Sequence, residues 1–206
     1  MTALSSTALT GLLDDLAENG WAIVRQALPA DLTLELAQEC RQRSNIGVLQ
    51  PAGVGHGSGH GVQESVRGDY IQWLEPNQSA ACDRYLDMLE DLRNQLNRAF
   101  YLGLVDYEGH FALYPPGAFY QRHLDRFRDD DRRAVSAVFY LNADWLLEQG
   151  GALRLYLLDG RELDIAPEAG TLVVFLSAEL PHGVLPANRD RLSLTSWLRR
   201  RGDALF

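Results

Sequence analysis

Arg191-Leu192-Ser193-Leu194-Thr195-Ser196-Trp197 alternates strictly. On an extended strand Arg191, Ser193, Thr195 and Trp197 share one face, and Leu192 and Leu194 share the other. A strand with an apolar outer face and a polar inner face suits the wall of a pocket. Working back from it, further short apolar segments occupy 183–186, 171–176, 152–157, 134–141 and 111–114, separated by Gly, Pro or Asp clusters. Regularly spaced short strands predict a sandwich or barrel. The part before residue 107 differs. Leu9, Leu12, Leu13 and Leu16 mark one helix face, with Asn19-Gly20 as its stop. Positions 21–28 read as a strand, and Pro29 opens a second helix with Leu32, Leu36 and Ala37 on one face. After a short strand at 70–74, a long helix over 78–100 carries the stripe Tyr85, Leu86, Leu89, Leu92 and Leu96. The predicted architecture is α+β: a double-stranded β-helix (jelly-roll) core over 107–200 on a helical support over 1–106, in one domain of residues 1–206.

Between the helices, Gly47, Gly53, Gly55, Gly57, Gly59 and Gly61 fall within sixteen positions. This reads as a mobile glycine-rich loop over about 47–66, too long for a plain connector and so a candidate lid. It contains His56 and His60, but flanking glycines argue against a preformed metal site between them.

The 206 residues are 46% hydrophobic and 23% charged, ordinary for a globular chain. No apolar run reaches the roughly 20 residues of a membrane span, and the N-terminus lacks the pattern of a signal peptide. Two cysteines, Cys40 and Cys82, do not make a disulfide framework, which favours a cytoplasmic setting. A net charge of −9 argues against a nucleic-acid partner. The arginines at 122, 126, 128, 132 and 133 and at 199–201 read as solvated faces, the first group diluted by neighbouring aspartates.

The chemistry lies in three residues. His123-Leu124-Asp125 places two ligand types two positions apart, on one face if the segment is a strand. His182 follows 57 residues after Asp125 at the start of a predicted strand. Two imidazoles and one carboxylate make the facial triad of non-haem iron(II) oxygenases, with open positions for a bidentate 2-oxo acid and O2. Arg191, nine residues after His182, would be costly inside a barrel without an anion. The distal carboxylate of 2-oxoglutarate would pair with it.

Several motifs then resemble one family. They are Arg67-Gly68-Asp69-x-Ile71-x-Trp73, Tyr114-Pro115, Tyr120-x-Arg122-His123-x-Asp125, Tyr140-Leu141-Asn142-x-Asp144-Trp145, Gly150-Gly151-x-Leu153-Arg154, Pro181-His182-x-Val184-x-Pro186 and Arg191-x-x-x-Thr195-x-Trp197. Together they resemble the hypoxia-inducible-factor-type prolyl 4-hydroxylases over about residues 65–200, above all their bacterial members. The resemblance implies Fe(II) on His123, Asp125 and His182, and 2-oxoglutarate held at its C5 carboxylate by Arg191 and Tyr140. Tyr114 would lie near the C1 carboxylate, Thr195 and Leu153 would line the cosubstrate pocket, and Trp197 would pack beside the metal. Arg67, Asp69 and Arg133 would belong to the substrate entrance. It also implies C4 hydroxylation of a prolyl residue in a protein substrate, with release of succinate and CO2, support by ascorbate and a role in oxygen sensing. For the bacterial members, elongation factor Tu is the expected partner. The glycine-rich loop and the short C-terminal end depart from the family pattern.

Rival readings are separable. A nucleic-acid demethylase should carry a basic, base-stacking surface. A small-molecule hydroxylase of the same superfamily would share the metal centre and differ in substrate. A zinc hydrolase gives Arg191 no role, and a non-catalytic jelly-roll binding module needs neither the triad nor Arg191.

Overall fold

Three helices cover one side of the molecule. The computed structural model describes residues 4–54, 61–63, 65–126 and 131–202. Helix α1 (Ser6–Asn19) starts at Ser5, whose Oγ accepts the Ala8 N–H at 3.2 Å, and closes on Gly20 at φ +78°, a left-handed conformation that glycine adopts at little cost. Helix α2 (Ala30–Asn45) follows Pro29. Helix α3 (Ala80–Phe100) is capped by Ser79, which accepts the Cys82 N–H at 3.1 Å. Its buried face carries Tyr85, Leu86, Leu89, Leu92 and Leu96, the stripe that the sequence predicts. Cys40 on α2 and Cys82 on α3 are buried free thiols. Burial pushes them up to about 12 and about 11. Among the described residues, no helix is long and apolar enough to cross a membrane.

The strands are β1 (Trp21–Val24), β2 (Gln50–Pro51), β3 (Gly53–Val54), β4 (Gly61–Val62), β5 (Tyr70–Trp73), β6 (Leu104–Tyr114), β7 (Tyr120–His123), β8 (Arg133–Tyr140), β9 (Leu153–Tyr156), β10 (Glu162–Ile165), β11 (Leu172–Leu176), β12 (His182–Val184) and β13 (Arg191–Arg200). A seven-stranded sheet runs β1-β11-β8-β13-β6-β5-β2 and faces a four-stranded sheet, β10-β9-β12-β7. All these pairings are antiparallel. The two facing antiparallel sheets form the double-stranded β-helix that the sequence predicts.

Alternation sorts the large sheet's side chains. Phe111, Phe139, Leu172, Val174, Leu192 and Leu194 pack outward against the helices. Ala112, Tyr114, Val138, Tyr140, Val173 and Phe175 point between the sheets and meet Leu153, Leu155, Ile165 and Val184. Tyr85 ties α3 to β13 through its hydroxyl, 3.1 Å from Ser196 Oγ.

Several boundaries depart from the sequence reading. The strand expected over 21–28 stops at Val24, because the chain turns at Gln26 with φ +51°. The segment over 47–66 is not structureless in its described part, where β2 pairs with β5 and β3 with β4. His56 and His60 lie outside the described residues. Leu124 and Asp125 are not on a strand: β7 ends at His123, and Asp125 sits in the following bend.

Candidate active site

The small sheet sets two of the predicted ligands side by side. His182 on β12 is the register partner of His123 on β7. The bend after β7 returns Asp125 toward both. His123 Nε2 lies 3.5 Å from Asp125 Oδ1, and His182 Nε2 lies 3.4 Å from Asp125 Oδ2. The potential ligand atoms of the three residues all fall within 4.8 Å of one another.

Backbone carbonyls fix the ring orientations. His123 Nδ1 is 2.8 Å from the Gln121 carbonyl, and His182 Nδ1 is 3.1 Å from that of Leu180. A carbonyl only accepts, so each Nδ1 carries the proton and each Nε2 offers a lone pair toward Asp125. Burial holds His182 down at about 4, so it is neutral at pH 7. Burial alone would raise Asp125. The neighbouring imidazoles, His182 first, and the hydrogen bond from the Ser136 hydroxyl outweigh it, and the carboxyl stays well below the usual range. A carboxylate and imidazole lone pairs on one side of a point are a donor set for a divalent transition metal. Tyr120 stacks on His123 with centroids 3.6 Å apart, and Phe175 meets His182 edge-on at 4.6 Å.

Deeper between the sheets lies a second constellation. Arg191 is 1% exposed. Its Nε donates to the Gly151 carbonyl at 2.8 Å, and its guanidinium lies 5.2 Å from the Tyr114 ring and 5.1 Å from the Tyr140 ring. Arg191 Nη2, the Tyr140 hydroxyl and the Ser193 hydroxyl are buried without a hydrogen-bond partner. Burial pushes Tyr140 up to about 12 and raises Tyr114 well above its ordinary value, so both phenols keep their protons at pH 7. Three unpaired polar groups around one buried cation fit a carboxylate that arrives with a ligand. Leu153 belongs to the apolar lining of the same space, and half-buried Thr195 pairs with Val138 and His110.

Other predicted residues form the rim. Arg67 makes a bidentate pair with buried Asp69 at 2.7 and 2.5 Å and lies 4.5 Å above the Tyr120 ring. Arg133 is 2.8 Å from Glu108 and covers the Trp197 ring at 3.5 Å. Trp197 stands opposite Ser136, whose hydroxyl holds Asp125, and its own Nε1 is buried without a partner. Four contributors escaped the sequence reading of roles. Ser193 shares the Arg191 face, which was its signal. Tyr120 lies within a quoted motif. His110, 2% exposed between Trp73 and Trp197, and Ser136, a hydroxyl in an apolar strand, carried only the signal that a buried polar group needs a partner.

The pattern of the 2OG-Fe(II) oxygenase superfamily matches residues 109–199, which contain the triad, Tyr140 and Arg191. A crystal structure of a Pseudomonas putida prolyl-4-hydroxylase is 57% identical, with a TM-score of 0.87, covering 94% of this chain and 100% of that one. The chain belongs to the prolyl hydroxylases of the 2OG-Fe(II) oxygenase superfamily. A prolyl hydroxylase of Trichoplax adhaerens, solved with a peptide of hypoxia inducible factor, is 26% identical at a TM-score of 0.83, covering 93% of this chain and 88% of that one. Egl nine homolog 1 of Homo sapiens is 32% identical over 145 residues, 65% of this chain. The match spans 33% of the human protein's length, so this chain corresponds to about a third of it.

Proposed function

We propose that this prolyl hydroxylase homologue hydroxylates C4 of a prolyl residue in a protein substrate, using Fe(II), 2-oxoglutarate and O2. The observation that carries the cosubstrate is the set of unpartnered groups on Arg191, Tyr140 and Ser193 beside the His123, Asp125 and His182 cluster. The prolyl target is supported by the 57% identical prolyl-4-hydroxylase.

In this reading His123 and His182 offer Nε2 lone pairs, and Asp125 supplies the negative charge. Iron(II) held there would couple decarboxylation of 2-oxoglutarate, releasing succinate and CO2, to insertion of oxygen at a substrate C–H bond, with ascorbate keeping the metal reduced. Arg191 grips the distal C5 carboxylate, and the Tyr140 and Ser193 hydroxyls donate to it. Tyr114 borders the C1 end, while Leu153 and Thr195 exclude water along the chain of the ligand. Trp197 packs behind the metal cluster. Arg67, Asp69 and Arg133 shape the entrance where the peptide arrives. Elongation factor Tu is the partner we propose, with the cytoplasm as the place of reaction and oxygen sensing as the role.

The test combines purified protein, Fe(II), ascorbate and 2-oxoglutarate with elongation factor Tu. Succinate is measured, and the substrate is examined by mass spectrometry for one added oxygen atom on a proline. The expected result is succinate and a single modified proline, both abolished by Asp125→Ala. Succinate without modification of elongation factor Tu would discard that partner alone. Full turnover by the Asp125→Ala protein would discard the metal assignment.

A further inference from the structure

Each imidazole of the cluster is oriented by a carbonyl of its own chain segment, two residues before it. Asp125 sits in a bend beyond the end of β7, and its outer partner is a side chain from the opposite sheet. Ser136 Oγ on β8 lies 2.6 Å from Asp125 Oδ2, and Ser177 Oγ lies 2.8 Å from Ser136 Oγ. Both serines are 0% exposed and Asp125 is 7% exposed. Ser136 is held in mid-sheet, paired with Phe175 of β11 on one side and Trp197 of β13 on the other.

The direction of the proton chain follows from elementary bonding. An ionised carboxylate only accepts, and a hydroxyl has one proton. Ser136 therefore donates to Asp125 Oδ2, and it accepts from Ser177. A buried hydroxyl with its proton committed cannot turn away without leaving a polar group unpaired. The contact thus fixes the carboxylate against rotation and occupies a lone pair on Oδ2. Among the described residues, no hydroxyl donates to Oδ1, which lies 3.5 Å from His123 Nε2.

We infer that Ser136, backed by Ser177, is a positioning residue that locks the Asp125 carboxylate across the two sheets and leaves Oδ1 free as the oxygen presented to a metal ion. This rests on the metal assignment proposed above. Outer partners of metal ligands typically govern about 10- to 100-fold in metal affinity.

The test is manganese(II) binding to the metal-free protein, with the free ion counted by electron paramagnetic resonance, for wild type, Ser136→Ala, Ser136→Thr, Ser136→Val and Ser177→Ala. Thr and Val have nearly the same shape and differ by the hydroxyl, so their comparison separates positioning from packing. Circular dichroism and thermal unfolding report folding separately. The expected result is a loss of about 10- to 100-fold in affinity for Ala and Val at position 136, near-wild-type binding for Thr, and a smaller loss for Ser177→Ala. Equal binding by the Thr and Val proteins, or wild-type binding by Ser136→Ala with only a lower unfolding temperature, overturns the inference. If either larger side chain fails to fold, Ser136→Ala against wild type decides. A wild-type protein that takes up no manganese overturns the metal assignment itself, and this inference with it.

Discussion

Asp125 and Arg191 are both buried charges, but their surroundings differ. Asp125 is met by two imidazoles and a hydroxyl, whereas Arg191 has the Gly151 carbonyl, two phenol rings and an Nη2 with no partner. A buried charge lacking an opposite charge costs folding energy that an apolar side chain of similar length does not. Arg191→Met is therefore expected to raise the stability of the ligand-free protein by about 1–3 kcal/mol and to abolish 2-oxoglutarate binding. Urea unfolding and a calorimetric titration measure the two effects, and a destabilised variant would contradict this account of the site. His110 gives the residue scale its pH dependence. Burial first, then the Arg67 charge, lowers it from 6.5 to about 4. The unfolded chain takes up this proton before the folded one does, so stability falls as pH drops from about 6.5 toward 4. The slope is about 1.4 kcal/mol per pH unit for each such histidine. In the metal-free protein His182 adds a second loss of the same sign, and the depressed Asp125 adds its own only below the ordinary carboxylate range. His110→Phe should halve the slope of stability against pH between 6 and 5 in urea melts. An unchanged slope would remove His110 from the explanation.

At the scale of elements, the turn before β9 decides where Arg191 points. Gly151 has φ +72°, and a Cβ there would lie 2.9 Å from the Trp145 ring, 3.0 Å from Ala187 Cβ and 3.4 Å from Arg191 Cδ. Gly151→Ala is expected to displace the carbonyl that receives Arg191 Nε. It should weaken 2-oxoglutarate binding about tenfold, as a misplaced support for a binding group does, while manganese binding stays near wild type. Titrating both ligands into one variant checks the split. The same elements show what the sequence could tell. The helical stripes and most strands were legible, because one face of each is continuously apolar. The first part of β6 was not, since Asp106 and Glu108 pair there with Arg199, and Glu108 also with Arg133, so the strand reads as polar. Strand β10 was missed because Glu162-Leu163-Asp164-Ile165 buries only Ile165 and lies at a sheet edge, with Glu162 and Asp164 salted to Arg154. The triad and Arg191 were legible by residue type and spacing. The Ser136 and Ser177 pair was not, because only the return of Asp125 from its bend brings a carboxylate to them.

For the whole molecule, the site lies where two sheets face each other. The large sheet is backed by helices and supplies Arg191, Tyr140, Ser193 and Ser136, while His123 and His182 stand on the small one. A ligand that binds residues of both sheets should stabilise the fold by mass action. At a hundred times its dissociation constant, 2-oxoglutarate with manganese(II) should add about 2.7 kcal/mol. For a chain of this size that is a rise of about 5–10 °C in the unfolding temperature. Scanning calorimetry with and without ligand checks this, and 2-oxoglutarate alone should give less than the pair.

The thiols packed between α2 and α3 bear on endurance. Peroxides and alkylating agents attack thiolates, and the protons of Cys40 and Cys82 leave only in strongly alkaline solution. At neutral pH these two buried thiols offer such reagents almost no thiolate. The dioxygen chemistry proposed above would thereby spare the two thiols one route of self-inflicted wear, and the shield is helix packing remote from the candidate site.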